Sequence, residues 1–145
     1  MVAIAFWPMG IQGLLQRIEL LTRQPTKCLA AGYVDVSSGM LLAIRTVDSH
    51  PREVIDMVAA ATADMFNGPN VSMIEHMFNK SRGIDRAGHH YFQEVIVNSD
   101  NLLHVFVRSK ANEEYVAVFV CRRTANLGMV LAKARISMPA LEAAV

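Results

Sequence analysis

The stretch Tyr115-Val116-Ala117-Val118-Phe119-Val120-Cys121 constrains the fold more than any other, because it is apolar at every position and rich in β-branched and aromatic residues. A run of this length and composition suits a strand and is too short for most helices. A strand without a polar side needs cover on both faces. It therefore predicts the middle of a sheet with one layer above and one below.

The rest of the chain reads as elements arranged around that strand. Met1–Gly10 is an apolar leader with no Lys or Arg before it, which argues against a signal peptide. Ile11, Leu14, Leu15, Ile18 and Leu21 then recur at helical spacing, and Gln24-Pro25 ends this first helix. Lys27–Val36 and Met40–Thr46 form a hairpin across Ser37-Ser38-Gly39, with Asp35 placed to accept bonds from the turn. Asp48-Ser49-His50-Pro51 opens a second helix with Val54, Ile55, Val58, Ala61, Thr62 and Met65 on one face, and Asn67-Gly68-Pro69 stops it. Ser72–Glu75 matches a capping box, so Ile74, Met77 and Phe78 read either as a short third helix or as an irregular extension of the second. Ser81–His90 is the longest loop. A meander follows, of strands Tyr91–Asn98, Leu102–Arg108 and Tyr115–Cys121. Thr124–Asn126 opens the last helix, with Leu127, Val130, Leu131 and Ala134 inward and Met138-Pro139 as its end.

These elements predict a single α+β domain over 1–145, with a five-stranded antiparallel sheet in the order 2-1-5-4-3 and helices on both faces. The second helix carries the chain to the far edge, and the meander walks back until its last strand pairs with the first.

With that order in place, the chain resembles the roadblock (dynein light chain) family, bacterial and archaeal type, and its sheet is roadblock/profilin-like. The resemblance rests on Gly32-Tyr33-Val34-Asp35-Val36-Ser37-Ser38-Gly39-Met40-Leu41-Leu42-Ala43, the helix from Pro51, Glu94-Val95-Ile96-Val97 and the helix from Leu127. It implies a non-enzymatic homodimer that scaffolds or regulates a small Ras-like GTPase or a signalling complex. The implied dimer joins edge strand 91–98 and helix 51–67 to their copies, so the interface residues are Val54, Val58, Met65, Phe92, Glu94, Val95, Ile96 and Val97. An edge strand without Pro or Lys is a template for pairing, and Tyr91–Asn98 contains neither.

The chemistry-bearing residues add no reaction. His76, His89 and His90 lack a His-x-x-x-His spacing or a nearby Cys, so no metal or cofactor site is expected and the loop histidines read as solvated. His104 reads as a satisfied surface or interface residue, and His50 as part of a helix start. Ser37-Ser38-Gly39 has neither the strand-to-helix context of a nucleophile elbow nor the Lys of a phosphate loop. Asp35, Asp48, Glu75, Asp85, Glu94, Glu113 and Glu114 show no spacing that selects an acid–base pair. Cys28 and Cys121 make no disulfide framework; they read first as two inert core thiols of a cytoplasmic protein, and second as a cross-strand redox pair. Met57, Met65, Met73 and Met77 read equally as core filler and as an adaptable partner face.

Composition leaves two destinations for the apolar excess. Hydrophobic residues are 52% of the chain and the net charge is +1, so apolar surface is available for a core or a subunit interface. The dispersed Lys and Arg argue against a nucleic-acid surface, and no apolar run reaches the ~20 residues of a membrane span. The alternative reading is a small-molecule-sensing module of profilin-like shape, which requires an apolar pocket between sheet and helix with a few polar groups.

Overall fold

The structure, a computed structural model, describes residues 28–46, 52–84 and 89–143, and within these not the side chains of Arg52 and Val54. The apolar leader, the first predicted helix and the helix start at Asp48–Pro51 lie outside the described residues. The described elements are β1 (Cys28–Asp35), β2 (Met40–Thr46), α1 (Arg52–Asn67), α2 (Pro69–Ser81), β3 (Glu94–Asn98), β4 (Leu102–Arg108), β5 (Tyr115–Arg122) and α3 (Leu127–Ala143). The sheet is antiparallel throughout, in the order β2-β1-β5-β4-β3, as the sequence predicts.

Alternation along the strands divides the core in two. Ala31, Tyr33, Leu103, Val105, Val107, Ala117, Phe119 and Cys121 face α3 and pack on Val130, Ala134, Met138 and Leu141. Val34, Val36, Leu41, Phe106, Val116 and Val118 face the other way and meet Ile55, Ala59 and Phe66 of α1. β5 feeds both layers, which accounts for its unbroken apolar run.

Three helical details differ from the sequence reading. The buried stripe of α1 is Ile55, Ala59, Thr62 and Phe66, while Val58 and Ala61 point outward. α2 starts at Pro69 with Gly68 as its N-cap residue and no side-chain cap, so Ser72 and Glu75 are not a capping box. Gly68 allows the two helices to follow without a linker. Its N–H still bonds Asp64 O at 2.9 Å, and a Cβ there would stand 2.6 Å from that carbonyl. Finally, α3 does not stop at Met138: it runs through Pro139 to Ala143. Proline removes one helical N–H, but Met138 and Leu141, on either side, are both buried against the sheet, and this packing carries the helix past it. Asn126 caps the start, accepting the Met129 N–H at 3.0 Å. Leu127 is exposed, not inward.

Candidate interaction surface

The inner side of α2 is polar. Its buried residues are Glu75 and Asn79, one turn apart, whereas Met73, Ile74, Met77 and Phe78 are 61%, 42%, 62% and 45% exposed. At 100° per residue these four fall on one arc of roughly 140°. This reverses the usual order of an amphipathic helix. A chain that buries a carboxylate and an amide while leaving four large apolar groups outside must satisfy the former internally.

The structure does so through one polar junction, which satisfies the Glu75 carboxylate and the Asn79 amide nitrogen and leaves Asn79 Oδ1 and Arg108 Nη2 without a hydrogen-bond partner. Glu75 Oε2 accepts the Tyr91 N–H at 2.6 Å and the Phe92 N–H at 3.1 Å. Glu75 Oε1 lies 3.2 Å from His90 Nδ1, and His90 Nε2 lies 2.8 Å from Glu114 Oε1. An imidazole carrying both ring protons donates to both carboxylates at once. Asn79 Nδ2 donates to His89 O at 3.0 Å, and His89 Nδ1 meets Glu113 at 3.2 Å. Asn67, the last residue of α1, reaches both Val36 O and Glu114 Oε2 at 3.2 Å.

Arg108, buried at the end of β4, completes the junction. Its Nε donates to Phe92 O at 2.9 Å and its Nη1 to Glu113 O, and its guanidinium lies 5.0 Å from the centroid of the Phe66 ring. Burial pushes the Arg108 pKa down, while the carboxylates of Glu75, Glu114 and Glu113 push it back up. His89 and His90 therefore lie against carboxylates and are not solvated, with side chains 20% and 14% exposed. Three of the scattered acids, Glu75, Glu113 and Glu114, converge here because the fold brings α2, the loop before β3 and the β4–β5 turn together. Among the described residues no group of three or more His, Cys, Asp or Glu side chains could hold a metal ion.

The same junction shortens the edge strand. β3 begins at Glu94 and not at Tyr91, because the N–H groups of Tyr91 and Phe92 are spent on Glu75. Phe92 thus lies in the connection, not in the strand. An aromatic row bridges α2 and this connection, with ring centroids 5.0 Å apart for Phe78–Tyr91 and 5.4 Å for Tyr91–Phe92.

β3 pairs with β4 on one side and is the edge of the sheet on the other. Ile96, opposite Val105, faces the α3 side and is 42% exposed; Val97, opposite His104, faces the α1 side and is 37% exposed. Val95 packs against the α1-side core. Glu94 is tied to α3 by a two-point pair with Arg135, at 2.7 Å and 2.6 Å, which holds its carboxyl below the usual range. On α1, Met57 and Val58 are 72% and 50% exposed, Met65 is half-buried against the core, and the backbone of Val54 lies in the same helix. Of the expected interface residues, Val58, Ile96 and Val97 are therefore open to a partner, while Val95, Met65 and Glu94 are partly engaged within the chain. Sequence reasoning places Ile74, Met77 and Phe78 on a short helix or an irregular extension, and leaves open whether Met73 and Met77 fill the core or face a partner. The signal that turns them outward is Glu75 and Asn79 at i, i+4, between the apolar pairs.

Beneath the N-terminal half of α1 lies an apolar cavity of about 260 Å³. Ala30 and Gly32 make its floor too shallow to meet Ile55, Val58 and Ala59 above, and Thr62 and His104 supply polar groups. Burial lowers the His104 pKa, and its ring stacks on Phe106 at 6.4 Å.

Neither a family model nor a curated protein matches this chain. Solved structures do. A structure of MglB in a tetrameric arrangement is 19% identical and superposes with a TM-score of 0.71, covering 99% of this chain and 93% of that one. The gliding protein MglB from Thermus thermophilus is 20% identical, with a TM-score of 0.70 and coverage of 99% and 94%. A roadblock/LC7 domain from Streptomyces avermitilis is 16% identical, with a TM-score of 0.58 and coverage of 92% of both chains. The chain has the roadblock/LC7 fold.

Proposed function

We propose that the protein is a non-catalytic homodimeric platform that scaffolds or regulates a small Ras-like GTPase. The observation that carries this reading is the reversal of α2, which spends its polar residues on an internal junction and leaves Met73, Ile74, Met77 and Phe78 exposed. An apolar patch of this kind on a small domain marks an interaction site. β3 supplies the self-association edge and α1 the helix that packs beside it. The stripe on α2 then extends the same side of the dimer toward the partner. The tetrameric arrangement of one MglB structure supports self-association in this fold. Any effect on hydrolysis comes from positioning the partner's own groups, since this sequence carries no phosphate loop.

Light scattering on wild type and Ile96→Lys tests the dimer. The lysine places an unpaired charge on the pairing edge without touching the core, so the expected result is a dimer that becomes a monomer of unchanged helicity. An Ile96→Lys protein that remains dimeric refutes the β3 interface. Capture of a Ras-like GTPase by wild type, and its loss in Met73→Glu/Met77→Glu, tests the partner face.

The cavity beneath α1 favours the second reading, a sensor of a small neutral apolar molecule. Native mass spectrometry separates the two, because a stoichiometric small molecule on the purified protein supports the sensor.

A further inference from the structure

Cys28 and Cys121 are register partners on β1 and β5, both buried, at 5% and 0% exposure. Directly opposed residues of antiparallel strands stand about 4.5–5.5 Å apart at Cα, inside the span of about 4.4–6.8 Å that a disulfide bridges. A local irregularity completes the arrangement. The register steps from Cys28↔Cys121 to Ala30↔Val120, so two residues of β1 answer one of β5, with Leu29 the extra residue. By plain alternation Cys28 would face α1, alongside Ala30 and Gly32. The bulge turns it instead to the α3 side, into the cluster that holds Ala31, Tyr33 and Cys121. Each thiol is the largest influence on the other's ionisation, and Cys28 Sγ also lies 3.2 Å from Ala30 O.

We infer that Cys28 and Cys121 form a redox-active dithiol that closes to an intrachain disulfide on reaction with a hydroperoxide. The two sulfurs are not equivalent. The Cys121 thiol lowers the Cys28 pKa, and Cys28 together with burial raises that of Cys121. Cys28 is also the less buried of the two, so it is the attacking sulfur. Its thiolate attacks the terminal peroxide oxygen, the O–O bond breaks, and the alkoxide takes up the proton that Cys28 released. An alcohol leaves, or water where the oxidant is hydrogen peroxide, and Cys28 becomes a sulfenic acid. The Cys121 sulfur then attacks the Cys28 sulfur, the S–O bond breaks, and hydroxide departs with the Cys121 proton as water. Two thiols lose two electrons and the peroxide gains them. The bond that forms staples the first residue of β1 to the central strand, on the sheet face opposite α1 and α2. It leaves the proposed docking surface untouched.

The test treats the folded wild type with hydrogen peroxide, then denatures it and alkylates free thiols with iodoacetamide. The expected product has lost both alkylation sites together, has an intact mass lower by two hydrogens, gives one peptide pair joined through Cys28 and Cys121, and is restored by dithiothreitol. The same treatment in urea, where the register is lost, yields that linked form more slowly. In Cys121→Ala the reaction stops at a Cys28 sulfenic acid that dimedone traps, and in Cys28→Ala the remaining thiol survives. Wild type that keeps two alkylatable thiols, or that oxidises only to intermolecular species or a sulfinic acid, overturns the inference even where a variant fails to fold. Equal oxidation of Cys121 in Cys28→Ala overturns the assigned order of attack.

Discussion

Replacing Glu75 with alanine removes the acceptor on which α2 is docked. Two backbone N–H groups, from Tyr91 and Phe92, lose a carboxylate oxygen at 2.6 Å and 3.1 Å. His90 loses one of its two carboxylate partners, and the buried Arg108 loses the largest counter-charge acting on it. An unsatisfied buried donor costs about 1–3 kcal/mol, and breaking a buried charged pair about 3–5 kcal/mol. Tyr91 and Phe92 are only half-buried, so water recovers part of the loss, and a total of about 2–4 kcal/mol is expected. That is a large share of the ~5–15 kcal/mol that holds a domain of this size together. Glu75→Gln keeps an oxygen for the two N–H groups and loses only the charge, so it should cost about 1 kcal/mol. Urea unfolding followed by far-UV circular dichroism measures both. Amide hydrogen exchange adds a local readout, because Tyr91 and Phe92 should be protected in wild type and Glu75→Gln but not in Glu75→Ala. A Glu75→Ala protein within about 0.5 kcal/mol of wild type, the scatter of ordinary surface substitutions, with Tyr91 and Phe92 still protected, would refute the claim that this junction holds α2 polar side inward.

Two further outcomes follow from the geometry. The Arg135 guanidinium holds the Glu94 carboxyl below its usual range, so its folded value lies below its unfolded one; the pair then adds stability above about pH 4.3 and loses it as pH falls through the folded value. Carbon-detected NMR titration should show Glu94 ionising at lower pH than a free glutamate, and Arg135→Gln should return it toward the ordinary range and flatten the acid limb of the stability curve. Gly39 has φ +73° in the β1–β2 turn, and a Cβ there would meet Ala60 and Ala63 only at ordinary contact, 3.8 Å. Gly39→Ala should therefore cost the backbone strain alone, about 1–2 kcal/mol, and Gly39→Asn less, read as a shift in urea midpoint without a change in slope.

The sheet was legible because its signals are local and redundant. The β1–β2 hairpin announces itself through Asp35, whose Oδ1 accepts the Ser37 N–H at 2.9 Å, and through Gly39 at a left-handed position of the turn. The apolar run of β5 requires cover on both faces, and only one strand order places it between β1 and β4 once helix α1 has carried the chain across. Helix limits were less legible. Pro139 reads as a stop, yet the buried Met138 and Leu141 on either side outweigh one missing hydrogen bond. Gly68-Pro69 reads as a break between helix and loop, yet with a glycine whose missing Cβ admits the Asp64 carbonyl, α2 follows α1 directly.

The candidate surface was harder to read for a different reason. Periodicity tells which side chains share a helix face; it does not tell which face turns inward. Hydrophobicity normally decides that, and for α2 it points the wrong way. The choice is made by partners distant in sequence: Arg108 from β4, Glu113 and Glu114 from the next turn, and the backbone of Tyr91 and Phe92. Each is ordinary alone, and none has a spacing that links it to Glu75. Together they convert a buried carboxylate from a cost into an anchor. The apolar side of α2 is then left in solvent as a consequence of satisfying its polar side. A helix held this way does not depend on Met73 and Met77 for its own stability, so these two should change with little effect on folding while altering any binding at the proposed surface. Anchoring thus falls to Glu75 and Arg108 and exposure to the methionines beside them, so substitutions in the two sets should separate loss of stability from loss of binding at the proposed surface.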